Sequence, residues 1–442
     1  MNTQAELSRW QVFSQSWPIM LANAAAPIVG LVDTLVIGRY AGTTALAGIG
    51  LGAVIYGIVY WGFGFLRMST AGLAAQSDGA GDQLGVQAHL ARAIPLGLLI
   101  GLLVFILQPF LLALAFTVFT ASETIEASAA TYISARLWGL PATLGSIALM
   151  GWFVGISRSE RALQMQIVLN LINIILSPLF VISFGWGLYG VGIASAIAEW
   201  GGLAAGLWLA GQEIKRRGGF QAEIFNRATL LHGPSLRRLG VTNGNIFIRT
   251  LALTFGFSFF GNAAAGQGEV FLAGYHVLMQ FITMSALILD AFAHTAEAVT
   301  GAAFGAKNRA RFDRAVRLTT EFSALFACVC GGVIMLIGPL VISLLTTDPA
   351  VIASARTYLP LCALAPILGF AAYQMDGIFI GTTQTRAMRD AGLLAVLIYV
   401  GVHYLLEPRF GGVGLWAAFL IYYMARALTL ALFYPAIKRQ LV

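Results

Sequence analysis

Apolar runs of about 20 residues or more recur along the whole chain, separated by short polar connections. A run of this length is what an α-helix needs to cross a bilayer, where every backbone polar group must be satisfied within the protein. The chain is 58% hydrophobic and only 10% charged, whereas an average soluble domain is about 25% charged. Its 50 glycines fit a membrane protein, because glycine lets membrane helices approach closely. The sequence therefore predicts an all-α polytopic membrane protein.

Twelve such segments fit into the 442 residues. We place them at about 13–38, 45–76, 93–119, 127–156, 162–184, 187–211, 239–262, 268–304, 318–346, 351–381, 391–406 and 411–436. The most polar stretch, 212–238, lies between the sixth and seventh segments. We therefore expect an N-lobe of transmembrane helices 1–6 over 1–211, a cytoplasmic basic linker over 212–238, and a C-lobe of helices 7–12 over 239–442.

The lysines and arginines indicate how the chain is oriented. If alternate connections lie on one side, that side receives 19 of the 26 Lys and Arg residues, and the other receives Arg39, Arg136, Arg356 and Arg409. The remaining three, Arg67, Arg249 and Arg426, lie inside segments. Basic residues accumulate in cytoplasmic loops, so we expect both termini on the cytoplasmic side of the inner membrane. The scattered basic residues form no face interleaved with aromatics, so the net charge of +7 does not indicate nucleic-acid binding.

Several classes of protein and site are not favoured. Cys328, Cys330 and Cys362 lie within apolar runs, which is typical of small buried side chains rather than of metal or disulfide sites. No lysine follows a glycine, so the Walker A pattern of ATP-driven pumps is absent. A membrane transferase needs polar loops with catalytic acids, and 212–238 has only Glu213 and Glu223 among many basic residues. We expect no enzymatic activity, no metal and no cofactor.

The two halves of the chain resemble each other. Short glycine-containing strings recur at nearly constant offset: Gly151–Gly155 with Gly377–Gly381 and Gly79 with Gly305 at 226, and Gly190–Gly192 with Gly412–Gly414 at 222. Because six helices is an even number, both repeats insert in the same orientation. This predicts two six-helix bundles related by a pseudo-two-fold axis along the membrane normal, an arrangement suited to alternating access.

Ionisable residues within the apolar segments are the main functional candidates, since burying a charge in a membrane costs at least about 2.5–3.5 kcal/mol. Asp33 is the strongest, because no basic residue precedes Arg39 in its segment. Counting the helix rise from the outer ends puts Asp33, Asn173, Ser177 and Ser195 at similar depths. We therefore predict a polar pocket in the N-lobe, formed by Asp33, Asn170, Asn173, Ser177, Ser195 and Glu199.

A second set of candidates lies mainly in the C-lobe. Asp290, His294 and Glu297 are spaced four and three residues apart and share one face of helix 8, and Asp376 in helix 10 is at a depth similar to that of Glu297. Arginines at mid-depth are possible partners of these acids. The candidate cavity residues are Arg67, Arg249, Asp290, His294, Glu297 and Asp376.

These residues lie in stretches that resemble the multidrug and toxic compound extrusion (MATE) transporters, specifically the DinF-like branch. The matching stretches are Gly30–Gly38, Phe65–Gly72, Asn170–Pro178, Leu289–Glu297 followed by Phe304–Lys307, and Met375–Gly381. The resemblance implies an efflux antiporter whose two lobes form a V-shaped central cavity. It also implies that Asp33 is the helix 1 acid, that Pro18 is the bending proline of that helix, and that Asn173, Ser177 and Ser195 belong to the pocket. Many relatives have an aspartate where this chain has Ser177.

We therefore expect a secondary antiporter that exports amphipathic, often cationic, organic compounds in exchange for protons. With Ser177 neutral, we expect Asp33 to be the only charge in the pocket, which favours a proton over sodium as coupling ion. The expected partners are lipophilic small molecules, H⁺ or possibly Na⁺, and membrane lipids, and we expect a monomer. Two alternatives remain open: a sodium-coupled antiporter of the same family, and a flippase of lipid-linked precursors, which Arg67 and Arg249 keep in consideration.

Overall fold

The computed structural model describes residues 7–40, 42–119 and 121–441, and these residues are almost entirely helical, with no strand among them. The helices in this part of the chain are α1 (Arg9–Tyr40), α2 (Gly42–Gly62), α3 (Phe65–Gly79), α4 (Gln83–Ile106), α5 (Gln108–Val118), α6 (Glu123–Arg136), α7 (Leu140–Gly155), α8 (Ser159–Pro178), α9 (Gly187–Arg216), α10 (Arg227–Leu230), α11 (Gly233–Gly266), α12 (Glu269–Gly305), α13 (Arg309–Leu345), α14 (Pro349–Gly381) and α15 (Thr385–Arg439).

Eleven helical spans in the described residues are long and apolar enough to cross a membrane. The last of them, α15, is interrupted by Gly411, whose φ of 54° is not helical, so it comprises two consecutive helices of membrane length. Elsewhere, consecutive helices join into one span: α6 continues through a 3-10 turn, Leu137–Gly139, into α7. The prediction of an all-α polytopic membrane protein is confirmed.

Contacts divide the chain into two compact units. The N-terminal unit is Leu21–Arg237, in which α7 packs against α3 and α4, α2 against α6, and α8 against α9. The C-terminal unit contains the residues from Arg238 onward, in which α14 packs against α12, α13 and α15. The first part of α1, up to Met20 and including the buried Pro18, also belongs to the C-terminal unit, whereas the predicted N-lobe began at residue 1.

A side-chain contact illustrates why the start of α1 belongs with the C-terminal unit. Ser16 is fully buried, and its Oγ lies 2.7 Å from Oγ1 of Thr295 in α12. Each hydroxyl is also within hydrogen-bond distance of a carbonyl one turn earlier in its own helix. One hydroxyl can therefore donate across the contact while the other donates to its own helix.

One close backbone contact between helices occurs at equivalent positions in both units. A Cβ atom on Gly151 of α7 would collide with the carbonyl oxygen of Arg67 in α3, and a Cβ on Gly377 of α14 would collide with the carbonyl oxygen of Ala293 in α12. The same holds one turn later for Gly155 with Ala71 and for Gly381 with Glu297. All four residues of each crossing are 226 positions from their counterparts, so the internal repeat extends from glycine strings to helix packing.

The basic stretch after α9 is held against the N-terminal unit. The Gln87 side chain of α4 donates to the Gly219 carbonyl at 2.9 Å and accepts from the Gln221 amide at 3.0 Å. Nη2 of Arg92, one turn further along α4, donates to the Thr229 carbonyl at 2.5 Å. Part of the predicted linker is therefore docked on α4.

Two arginines and two acids lie together at the cytoplasmic end predicted for α9. Nε of Arg158 and Nε of Arg217 each donate to Oε1 of the buried Glu213 at 2.9 Å, and Arg217 also bonds Asp78. Burial opposes the charge of Arg217, but the carboxylates of Asp78 and Glu213 outweigh burial and raise the pKa of its guanidinium above the usual value. This cluster connects the ends of three helices of the N-terminal unit.

Candidate functional site

Asp33 lies in the interior of the N-terminal unit, where its side chain accepts hydrogen bonds from two other helices. It is 1% exposed. Oγ of Ser177 in α8 donates to its Oδ1 at 2.7 Å, and Oγ of Ser195 in α9 donates to its Oδ2 at 3.1 Å. Nδ2 of Asn173 lies 3.5 Å from Oδ1 of Asp33 and 3.0 Å from Oγ of Ser195. The structure thus brings together the four residues whose depths match in the sequence.

The local sequence explains why α8 presents this polar face. Asn173 and Ser177 are four residues apart, so both lie on the side of α8 that packs on α9. Directly after Ser177 comes Pro178, where α8 passes into a π-helical turn, Leu179–Ser183. Such turns rearrange the backbone hydrogen bonds around a proline, which has no N–H to donate.

We had expected Asp33 to be the only charge in this pocket, but the structure places a guanidinium beside it. Nη1 of Arg136 lies 3.6 Å from Oδ2 of Asp33, and Nη2 of the same guanidinium lies 3.6 Å from Oε1 of Glu199. The Arg136 side chain is only 14% exposed. Sequence counting had grouped Arg136 with the basic residues on the outer side, although it lies within the predicted segment 127–156. In the structure α6 runs on into α7, so Arg136 lies inside a single helical span.

Aromatic rings and hydroxyls hold Arg136 in place. Its Nη1 donates to the Tyr132 hydroxyl at 2.7 Å, one turn earlier in α6, and its guanidinium carbon lies 4.2 Å from the centre of the Tyr56 ring. A cation over an aromatic face is stabilised by the ring quadrupole. One signal in the sequence points to Arg136: it is the only charged residue between Glu126 and Arg158.

Glu199, which the sequence assigned to the same pocket, is 6% exposed and fully hydrogen-bonded. The Tyr56 hydroxyl donates to its Oε1 at 2.9 Å and the Thr143 hydroxyl to its Oε2 at 2.5 Å. Both donors come from helices other than α9. The pocket therefore contains two carboxylates and one guanidinium, all buried.

Asn170, also predicted in the pocket, makes its hydrogen bonds elsewhere. Its Nδ2 donates to the Ala25 carbonyl in α1 at 3.0 Å, and its Oδ1 accepts from Gln166 at 3.1 Å. It lies one turn from Asn173 on the same face of α8, but its side chain connects α8 to the α1 backbone and not to Asp33.

A second charged cluster lies in the C-terminal unit around Asp376 of α14. Nη2 of Arg249 in α11 and Nη2 of Arg426 in α15 both donate to Oδ2 of Asp376, the latter at 2.8 Å. Three tyrosine rings have their centres 5.6–5.9 Å from the Arg426 guanidinium carbon, and they belong to Tyr373, Tyr422 and Tyr423. The sequence singled out Arg249 and Asp376 but noted Arg426 only as one of three arginines inside the segments.

The remaining candidates are placed as follows. Glu297 is fully buried in α12 at its crossing with α14, and Asp290 and His294 lie half-buried on the same helix. Arg67 lies in α3 of the N-terminal unit, where its backbone contacts Gly151. Among the described residues, no group of three or more His, Cys, Asp or Glu side chains is arranged to hold a metal ion.

Comparison with known proteins agrees with this architecture. The family model MatE matches residues 18–179 and 246–405, one stretch in each half of the chain. DNA damage-inducible protein F of Escherichia coli (strain K12) is 30% identical over 97% of this chain and 92% of its own length. The probable multidrug resistance protein NorM of Acinetobacter baylyi is 25% identical over 92% of this chain and 91% of its own length.

Solved structures share the fold. A crystal structure of MATE in the bent conformation superimposes with a TM-score of 0.86 at 20% identity, covering 97% of this chain and 95% of that one. The outward-facing conformation of a multidrug resistance MATE family transporter of the MOP superfamily has a TM-score of 0.83 at 20% identity, covering 98% and 96%. With the family model matching most of its length and these relatives matching end to end, the chain belongs to the MATE family of integral membrane transporters and is not an enzyme.

Proposed function

We propose that this protein is a proton-coupled antiporter that exports amphipathic, often cationic, organic compounds by alternating access. Relatives such as the probable multidrug resistance protein NorM support multidrug export. The observation that carries the choice of a proton is the position of Arg136, whose guanidinium lies 3.6 Å from both Asp33 and Glu199.

Arg136 sets the net charge of the pocket that contains Asp33 and Glu199. Two carboxylates and one guanidinium sum to one negative charge, which a single proton neutralises without needing space or new ligands. A sodium ion bound to Asp33 would sit close to the guanidinium. Two like charges about 4 Å apart repel by about 4 kcal/mol at the effective dielectric of a protein. We infer that Arg136 takes the place of a bound metal cation.

The hydrogen bonds suggest how the proton is exchanged. With Asp33 ionised, the guanidinium bridges Asp33 and Glu199, and the hydroxyls of Ser177 and Ser195 donate to Asp33. Protonation of Asp33 removes its attraction for Arg136, which then has Glu199 as its remaining carboxylate partner in the described pocket. We assign Asp33 the coupling role, Arg136 and Glu199 the role of its counter-charges, and Asn173, Ser177 and Ser195 that of positioning Asp33.

Orientation, location and assembly are part of the proposal. The excess of basic residues on one side supports cytoplasmic termini in the inner membrane. We also keep the division into two lobes joined at 212–238, the bending role of Pro18, the contribution of Asn170 to the N-lobe pocket, and the cavity role of Arg67, Arg249, Asp290, His294, Glu297 and Asp376. The functional form is proposed to be a monomer in contact with membrane lipids.

Transport in proteoliposomes tests the coupling ion. Efflux of radiolabelled tetraphenylphosphonium is measured with a proton gradient and a sodium gradient imposed separately. We expect efflux driven by the proton gradient, lost in Asp33→Asn although the probe still binds, because asparagine keeps the shape of the side chain but does not titrate. Glu160→Gln, which removes an acid that is about half exposed, is the control and should transport normally. Strong sodium-driven, pH-independent efflux by the unmodified protein would contradict the proposal.

A further inference from the structure

We propose that Arg249 and Arg426 form a binding site for the anionic group of an amphipathic compound, a carboxylate, sulfonate or phosphate, within the C-terminal unit. The inference rests on the chain being a transporter and does not depend on the coupling ion. It arises from the cluster around Asp376, in which two arginines share one acid.

Arg249 and Arg426 use few of their N–H donors within the described residues. A guanidinium has five N–H donors in a rigid fork. Arg249 and Arg426 each use only Nη2, and both direct it at the same oxygen, Oδ2 of Asp376. In the part of the chain that the structure describes, neither arginine makes another hydrogen bond, and each is only 7% exposed. The other nitrogens of the two guanidiniums are not among the fully buried side-chain atoms that lack a partner, so they keep accessible surface on which a ligand oxygen can be received.

The charges of Asp376 and its two arginine partners do not balance. One carboxylate faces two guanidiniums, so the ion pairs of this cluster leave one positive charge in excess. Asp290 of α12 acts electrostatically on Tyr373 and Tyr423, so a further acid lies near these rings. An incoming anion would pair with the free edges of the guanidiniums, and Asp290 would repel it.

The surroundings fit a compound with an apolar body. Tyr373, Tyr422 and Tyr423 surround Arg426, and such rings stack against an aromatic or apolar ligand while the guanidinium holds its charged end. The Asp376 side chain is 12% exposed and each arginine side chain 8%, so the cluster keeps an accessible edge.

The test compares two probes of nearly equal shape, 1-naphthalenesulfonate and the uncharged 1-naphthalenesulfonamide. Binding to the purified full-length protein in detergent is measured by equilibrium dialysis against protein-free micelles, with no ion gradient. We expect Arg426→Gln and Arg249→Gln to weaken sulfonate binding at least tenfold and to leave sulfonamide binding within twofold. Asp290→Asn should strengthen sulfonate binding. Arg386→Gln removes an exposed arginine from the first of the two helices of α15, whereas Arg426 lies in the second, and it should change neither.

A second arm identifies the source of the anion. The protein is placed in nanodiscs of phosphatidylcholine with increasing phosphatidylglycerol. If phosphatidylglycerol displaces the sulfonate from the unmodified protein, the site takes a lipid phosphate; if it does not, the site takes the anionic group of a soluble compound. Both outcomes support an anion site.

Equal binding of sulfonate and sulfonamide, or sulfonate binding that is unchanged in folded Arg426→Gln, would overturn the proposal. Arg426→Lys gives a separate check, because it keeps the charge but not the fork and should bind the sulfonate with intermediate affinity. Since no gradient is used, failure here leaves the proton-coupling proposal untouched, and failure of Asp33→Asn to affect transport leaves this site untouched.

Discussion

Nη1 of Arg136 lies 3.6 Å from Oδ2 of Asp33, so the acid in the middle of the N-terminal unit has a cation of its own. The same guanidinium is 3.6 Å from Glu199, and neither acid has a second basic partner in the described part of the pocket. Changing one member of this group therefore changes the electrostatics of the other two.

Removing the guanidinium should destabilise the protein, and removing one acid with it should restore stability. Arg136→Gln leaves two buried carboxylates without a cation, and breaking a buried ion pair in this way costs about 3–5 kcal/mol. Arg136→Gln/Glu199→Gln has one acid fewer and should recover much of the loss. Thermal unfolding in detergent at pH 8 measures this, and the loss should shrink at pH 5, where a proton replaces the missing positive charge. Equal melting temperatures for the single and double variants would contradict this account.

Ser177 is where a second acid would most change ion selectivity. Ser177→Asp introduces a carboxylate next to Asp33, because the serine Oγ is 2.7 Å from Oδ1 of Asp33. Two carboxylates at this range do not both ionise readily unless a cation enters. We expect efflux that becomes sensitive to sodium or has a higher pH optimum, measured against pH with and without sodium. Ser177→Asn, similar in size but uncharged, is the control, and a folded Ser177→Asp with the profile of this control would refute the prediction.

Two acids on α12 should differ in importance for transport. Glu297 is fully buried at the helix crossing, whereas Asp290 is half-buried. We expect Glu297→Gln to lower efflux more than Asp290→Asn, because a buried carboxylate that serves no function would be too costly to keep. Initial efflux rates at matched expression decide the matter, and equal losses would remove the distinction.

The backbone contact between α12 and α14 predicts a packing defect. In Gly377→Ala the new methyl group meets the carbonyl oxygen of Ala293, so the helices must move apart, at a cost of about 1–3 kcal/mol. Gly401→Ala is the matched control, because no heavy atom lies within 4 Å of its added Cβ and alanine favours a helix. A lower melting temperature is expected only for Gly377→Ala. If both variants melt alike, the close approach of these helices is not important for stability.

The architecture was predictable because an apolar membrane helix restricts where a polar residue can be. Counting at 1.5 Å per residue was enough to group Asp33 with Asn173, Ser177 and Ser195, since each lies in an otherwise apolar run. The lengths of the hydrophobic runs also predicted the number of membrane spans. The recurring glycine strings predicted that the two halves of the chain are built alike.

The roles of Arg136 and Arg426 were missed for different reasons. Arg136 was counted only toward orientation, with the basic residues on the outer side, and that count does not show that its side chain meets Asp33 and Glu199 on two other helices. Arg426 was recognised as lying inside a segment, but its partner is 50 residues away on α14, and sequence spacing does not show which faces of two distant helices meet. Asn170 shows the same limit, because its face of α8 was correct but its partner is the α1 backbone.

The helix crossings also bear on how two similar halves acquired different chemistry. Ala71 and Glu297 occupy the same position in the two repeats, and each meets its glycine through backbone atoms. A contact of that kind depends on the glycine and makes no demand on the side chain of the partner residue. The position can therefore hold an alanine in one repeat and an acid in the other while the same helix crossing is kept in both.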